Sequence, residues 1–384
     1  MAKTGQLRFL PRIETLELKN TLRQMQEDSP HFGVCAFLPE AQKARVDLLQ
    51  ATCRELSIPL IGAIFPVLIK DNDFYNDGAW ILGFDEMPHF SLLEDIPDDP
   101  DEACQKVNDV VANLAQHLDG NTEASLFMIF DATLRNIGTL LDNIYLQFAN
   151  RVYYAGVNAG SETFQPMPCL FDTNNLVNKG LLLALLQNNK GAILEHGYHA
   201  PKKTVYATST KNNCISQIDW RPAFDVYQEL ILAQYGVEIN RENFYELAVH
   251  YPFGIVRANH HVVVRIPVIL ADDGSLISVG EVPANSVLTL LERPIVDSDE
   301  TLKALHEGLN NLNGDNTGAD LLLFYCAGRR MHIGIEKARN ELERFKSITQ
   351  AAQVAGALSL GEIGTSTLHG YPLFQNASLV ALRH

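Results

Sequence analysis

Two glycine-bearing stretches near the C-terminus carry charges at spacings that chemistry could use. "CAGRR" (Cys326–Arg330) places Arg329 and Arg330 beside Gly328, and "SLGEIG" (Ser359–Gly364) places Glu362 between two glycines. An arginine fork holds a carboxylate through paired hydrogen bonds, and glycine lets backbone approach closely. A carboxylate across from that fork could hold the other pole of an amino acid. The two could equally hold each other, because charges at a rim are mostly solvated or paired. A third stretch, "GVNAGSE" (Gly156–Glu162), offers hydrogen-bonding groups on Asn158 and Ser161 beside flexible glycines; a plain turn explains it as well.

Enzyme chemistry finds little support. Cys326 could serve as a nucleophile beside Arg329, but no histidine has a defined place near it, and a cysteine closing a buried strand is usually structural. The chain lacks G-x-S-x-G, G-x-x-x-x-G-K-[ST], G-x-G-x-x-G and H-E-x-x-H. Adjacent histidines in "NHH" (Asn259–His261) would point to opposite faces of a strand and make no ligand pair. The six cysteines are scattered without C-x-x-C, so neither zinc nor a disulfide scaffold is expected, and no metal or other cofactor.

The elements that must position these residues recur. "GVCAFL", a helix over "EAQKARVDLLQATCREL", "IPLIGAIFPVLI" and "AWILGF" read as strand, helix, strand interrupted at Gly62, and a third strand after a polar turn. The order returns in "SLFMIF", "TLRNIGTLLDNIYLQFAN", "RVYYAGVNAG" and "GLLLALL". It returns again in "ADLLLFYCAG", "IGIEKARNELERFKSIT", "AAQVAGALSLGEIG" and "NASLVAL". Gly62, Gly156 and Gly356 hold matching places, which marks an internal repeat. Fully apolar strands alternating with helices imply parallel pairs with right-handed crossovers. Each third strand follows a turn and is expected to run antiparallel. The fold class is therefore α/β: repeated strand–helix–strand–loop–strand units forming mixed, largely parallel sheets, with a more β-rich segment around residues 201–293. "LLEDIPDDPDEAC" (Leu92–Cys104), acidic and broken by prolines, reads as a solvated linker, and Leu16–Met25 as an opening helix.

Composition narrows the partners. The chain has 384 residues, 46% hydrophobic and 20% charged, enough for a substantial core. A net charge of -16 without a basic cluster argues against nucleic acid and anionic membranes. No apolar run approaches the length of a membrane helix, and the first residues are too polar for a signal peptide, so a cytoplasmic location is expected.

Together these stretches resemble the FIST domain family, ligand-sensing modules of bacterial signal transduction. "DWRPAFDVYQELI" (Asp219–Ile231) resembles the joint between that family's N-terminal and C-terminal halves. "HYPFGIVRANHHVVVRIPVILADDGSLISVGEVPANSVLTLLE" resembles the start of the C-terminal half, and "LLLFYCAGRR" and "GALSLGEIG…YPLFQNASLVAL" its closing signatures, with Phe374, Gln375 and Asn376 in order. The loop "GAIFPVLIK" (Gly62–Lys70) departs from the small polar loop usual in the family. The resemblance implies a FIST N-like domain over 1–215 and a FIST C-like domain over 216–384. It implies a cytoplasmic sensor that binds a small molecule, an amino acid or small carboxylate, at Cys326, Arg329, Arg330, Glu362, Asn376, Asn158 and Ser161. The sensor would signal through a separate protein, and a homo-oligomer is compatible. Two alternatives stand beside it: an enzyme using Cys326 near Arg329 on a small acidic substrate, and a ligand-free scaffold or dimerising module.

Overall fold

The computed structural model describes residues 6–26, 29–257, 261–365 and 370–384. Asn259 and His260 of the "NHH" stretch lie outside the described residues.

Three units share one plan, and the plan is longer than the sequence repeat indicates. Unit one has a lead strand (Leu7–Leu10), a lead helix (Thr15–Gln26), a first strand (Gly33–Pro39), a crossover helix (Val46–Leu56) and a second strand (Leu60–Phe65). A hairpin (Leu68–Lys70 and Asp73–Tyr75) and a closing strand (Ala79–Phe84) complete it. Unit two repeats this with His89–Leu93, Pro100–Gln116, Ser125–Asp131, Ile137–Phe148, Tyr153–Ala159, the hairpin Leu170–Asp172 and Leu176–Val177, and Leu181–Leu186. Unit three uses Ile193–Glu195, Glu300–Asn313, Asp320–Cys326, Ile335–Thr349, Gln353–Ser359, the hairpin Glu362–Gly364 and Leu373–Gln375, and Leu379–Arg383. It adds a short helix, Ala327–Ile333, after its first strand, so "CAGRR" runs from the strand's last residue straight into a helix.

The "linker" after Leu92 is in fact partly structured. His89–Leu93 is the lead strand of unit two. Asp99 caps the helix that follows, its carboxylate accepting from the Asp101 and Glu102 N–H groups, with Pro100 at the first helical position. The acidic residues thus sit at a helix N-terminus, where the dipole favours them.

Within each unit the first and second strands pair in parallel and the closing strand pairs antiparallel with the first. The sheets are mixed, and the other pairs in them are antiparallel. Every six-stranded sheet runs lead, closing, first, second strand and then a two-stranded hairpin. That hairpin comes from another unit: unit two's on unit one, unit three's on unit two, and unit one's on unit three. The chain either side of residue 215 is therefore interlaced, since Leu68–Lys70 extends the sheet of Asp320–Cys326, and Glu362–Gly364 extends that of Ser125–Asp131.

The repeated glycines sit where this exchange requires them. Gly62, Gly156 and Gly356 lie opposite Ala36, Met128 and Leu323 in the parallel pairs. A Cβ at these glycines would stand 2.3, 2.6 and 1.8 Å from those residues' carbonyl oxygens. Two residues on, the N–H groups of Ile64, Asn158 and Leu358 donate to Cys169, Gly361 and Val67, each the residue just before an exchanged hairpin. Gly160 then donates to Ile64 and Leu360 to Asn158. Pro66 holds the matching place in unit one and has no N–H to give, so "GAIFPVLIK" is a strand end, a turn and an exchanged strand rather than one strand.

Between the lead strand and lead helix of unit three lies the β-rich segment. Its antiparallel strands follow the order Val262–Arg265, Phe253–Val256, Val287–Leu290, Val205–Lys211, Cys214–Ile218, Leu276–Ser278, Pro267–Leu270. The two end strands are consecutive parts of one segment, so the sheet rolls on itself. Helix Ala223–Tyr235 buries Phe224, Val226, Tyr227, Leu230 and Ile231 against it.

Gly356→Ala forces a methyl group into the Leu323 carbonyl and should cost about 3 kcal/mol or more. Denaturant unfolding should show it, and an unchanged midpoint would refute the role given to this glycine.

Candidate functional site

Where the units meet the rolled sheet lies a partly open cleft with about 50 Å³ of free interior volume. Its floor is the end of unit three's first strand and the short helix after it (Cys326, Ala327, Gly328, Met331), with Leu360 beyond the second strand. One wall is Ile266, Pro267, Val268 and Val279 of the rolled sheet, and another Glu162 and Phe164 from unit two. Tyr245 and Val249, at a short helix (Phe244–Ala248) and its end, and Asn376 complete it. A cleft beyond the carboxyl end of a parallel strand is where ligands settle in open α/β sheets.

Of the residues expected from the sequence, Cys326 and Asn376 line this cleft. Arg329 does not. It is fully buried, and its fork grips Glu341: Nε donates to Oε2 at 3.0 Å and Nη2 to Oε1 at 2.7 Å, while Tyr325 donates to the same carboxylate at 2.5 Å. Nη1 donates to the carbonyls of His196 at 2.6 Å and Ala377 at 3.4 Å. Burial works against the charge, and Glu341 overrides it, holding the guanidinium above its ordinary value. The clamp expected for a ligand carboxylate is filled from within the chain. Arg330, one residue on along the helix, points elsewhere. Its Nη2 donates to both oxygens of Glu162 at 2.9 and 3.0 Å, and its guanidinium lies 5.3 Å from the Phe74 ring centre.

Glu362 is also fully buried and does not face Arg329 across an open hollow. One carboxylate oxygen accepts from the Ser359 hydroxyl, the other from the Ser378 hydroxyl at 2.6 Å and the Ser378 N–H at 3.3 Å. Burial raises its pKa from 4.5 to about 7, although these hydrogen bonds and the Cys326 thiol pull the other way. Burial pushes the Cys326 thiol up, with Glu362 adding to the effect, which is opposite to what a nucleophile needs. Asn158 is buried at the unit junction with neither side-chain atom partnered. The Ser161 hydroxyl pairs with Thr163 at 2.9 Å.

Most of these groups converge on one turn, Asn376–Ser378. Asn376 N–H donates to Val264, Ala377 N–H to the Cys326 sulfur at 3.1 Å, and Ser378 binds Glu362. The Ala377 carbonyl takes Arg329, and Cys326 N–H donates to the Ser378 carbonyl. Ala377 has φ 55, a left-handed conformation that a non-glycine residue adopts at a cost of about 1 kcal/mol. What the turn presents to the cleft is Asn376, 1% exposed, whose Oδ1 and Nδ2 both lack partners.

Glu341 escaped the sequence reading, yet it had a signal. It sits among Ala338, Leu342 and Phe345 on the buried face of an amphipathic helix, and a carboxylate there needs an internal cation. Among the described residues no group of three or more His, Cys, Asp and Glu side chains could hold a metal ion, and no helix is long and apolar enough to cross a membrane.

Arg329→Met should destabilise by about 3–5 kcal/mol by stranding Glu341, and adding Glu341→Leu should recover much of that loss. Chemical denaturation of both variants checks this; equal stability of Arg329→Met and the parent would refute it. Glu362 is raised in the fold, so the stability it contributes is complete below about pH 4.5 and is lost as pH rises through about 7. Glu362→Gln removes that loss. Its stability relative to the parent should grow by about 3 kcal/mol between those pH values, and a pH-independent difference would contradict it.

Comparison with known proteins now gives this arrangement a family. No curated protein matches the sequence. A FIST N domain matches residues 32–221, and a FIST C domain matches residues 223–365. FIST domains are sensory modules of signal transduction rather than catalytic ones. The two matches cover most of the chain, and the protein belongs to the FIST family.

Proposed function

We propose that this protein is a cytoplasmic sensor whose small-molecule ligand occupies the cleft between unit three and the rolled sheet, and that a separate partner protein reads its occupancy. The observation that carries this is Asn376. A buried polar side chain without a partner costs about 1–3 kcal/mol, and such a cost is tolerated where something else supplies the partner. The amide stands in a partly open cleft that is largely apolar apart from the Arg330-paired Glu162, as ligand-orienting groups do.

The cleft walls come from separate parts of the chain. Ile266 and Val268 belong to the rolled sheet, Gly328 and Leu360 to unit three, and Phe164 to unit two. A ligand that touches all three favours one relative packing of them over another, and that difference is what a partner can read. Contact is already close: a Cβ on Gly328 would stand 2.7 Å from Ile266 Cδ1. The amino acid or small carboxylate implied by the family resemblance needs a free cation, and both arginines near the cleft are engaged.

Thermal-shift screening of a broad small-molecule panel at millimolar concentration should give compounds that raise the melting temperature, and Val279→Trp, which fills the cleft, should abolish the shift. Hits that stabilise the parent and Val279→Trp equally would remove the cleft as the site.

A further inference from the structure

The cleft's chemistry specifies a class of ligand, and this inference rests on the sensor reading above. We infer that the ligand is a neutral, largely apolar molecule carrying one amide-like group, a hydrogen-bond donor and acceptor side by side, which pairs with Asn376.

Asn376 presents an unpartnered acceptor, Oδ1, and an unpartnered donor, Nδ2. A carboxamide, lactam or urea answers both at once, its carbonyl accepting from Nδ2 and its N–H donating to Oδ1. A carboxylate answers Nδ2 alone and sets its charge against Oδ1. An ammonium answers Oδ1 alone. Either leaves one amide atom buried and unpaired, which is how polar sites reject mismatched analogues.

Charge in the cleft points the same way. Among the described residues lining it there is no arginine, lysine or histidine. The one lining carboxylate, Glu162, has both oxygens on Arg330. A zwitterion would shed water from two charges beside Val249, Ile266, Val268, Val279 and Leu360 with no free counter-charge. The apolar body of a neutral ligand sheds no charge hydration there, and because the cleft as it stands has only about 50 Å³ of free interior volume, a ring-sized ligand must part its walls.

The turn that carries Asn376 is held in advance by Cys326, Arg329 and Glu362, so ligand binding does not have to order it. The site therefore costs the free protein stability. Asn376→Leu, near in volume and without polar atoms, should raise the melting temperature while removing the amide's partner.

The test uses the full chain and matched probes sharing one ring: benzamide, benzoate, benzylamine and toluene, with the cyclohexyl and naphthyl series alongside. Calorimetry and thermal shift should rank the amide of each series at least about tenfold tighter than its carboxylate and amine. Asn376→Leu should reduce the amide's affinity to that of the bare hydrocarbon. A carboxylate or amine that binds more tightly than its amide, with binding lost in Val279→Trp, overturns the inference and leaves the sensor reading standing. Silence from all three series and from the broad panel overturns both. The ranking on the unaltered protein decides the matter even if Asn376→Leu does not fold.

Discussion

Backbone-to-backbone approach at three glycines governs the molecule. At Gly62, Gly156 and Gly356 the second strand comes so near the first that a methyl group would collide with the opposing carbonyl oxygen. Beside each glycine lies a residue of an exchanged strand, Phe171, Ile363 and Ile69 respectively. No unit completes its own sheet. The edge groups of each second strand are satisfied by the next hairpin in a cycle of three, and an unpaired edge would otherwise be exposed to stray pairing. Halves separable in sequence are thereby joined in the fold, because one hairpin passes from the N-terminal part to unit three and another returns from unit three to unit two.

The cleft lies where this repetition is broken. After the second strand, units one and three reach their hairpins through residues 66–67 and 360–361 alone, whereas unit two takes residues 160–169. That longer passage delivers Glu162 and Phe164 to the cleft. Unit three carries a separate short α-helix after its first strand, where unit one has a 3-10 turn over Glu40–Arg45 running straight into its crossover helix, and the short helix supplies Ala327, Gly328 and Met331. The rolled sheet interrupts unit three alone and supplies Ile266, Pro267, Val268 and Val279. Three independent departures from one plan meet at a single hollow.

What could be read from the sequence follows from how far each signal reaches. The repeat, the crossover helices and the antiparallel third strand were legible because they depend on local periodicity and on turns. The exchange was not. Ile58–Ile69 is one apolar run, and nothing local says that Leu68–Lys70 leaves for another sheet after Pro66. The lead helix Pro100–Gln116 was hidden by its own cap, since Asp99, Pro100, Asp101 and Glu102 read as a solvated linker until their positions on the helix are known. The arginines show the same limit. Neighbouring residues on a helix point about 100° apart, so the phase of Ala327–Ile333 decides that Arg329 turns inward to Glu341 and Arg330 outward to Glu162.

The residues singled out for their chemistry are therefore engaged in internal contacts, and the energetics explain what those contacts do. A buried ion pair seldom adds net stability, because desolvating both charges offsets their attraction. What Arg329 and Glu341 do provide is direction. The guanidinium, fixed at one end by the carboxylate, reaches the His196 carbonyl after unit three's lead strand and the Ala377 carbonyl in the turn before its closing strand. Glu362 secures the next residue and Cys326 the Ala377 N–H. A left-handed alanine is held between them at a conformational cost, and the result of that expense is the position of one side chain. Replacing these groups together with well-packed apolar residues is often neutral or stabilising, but it would release the turn that carries Asn376.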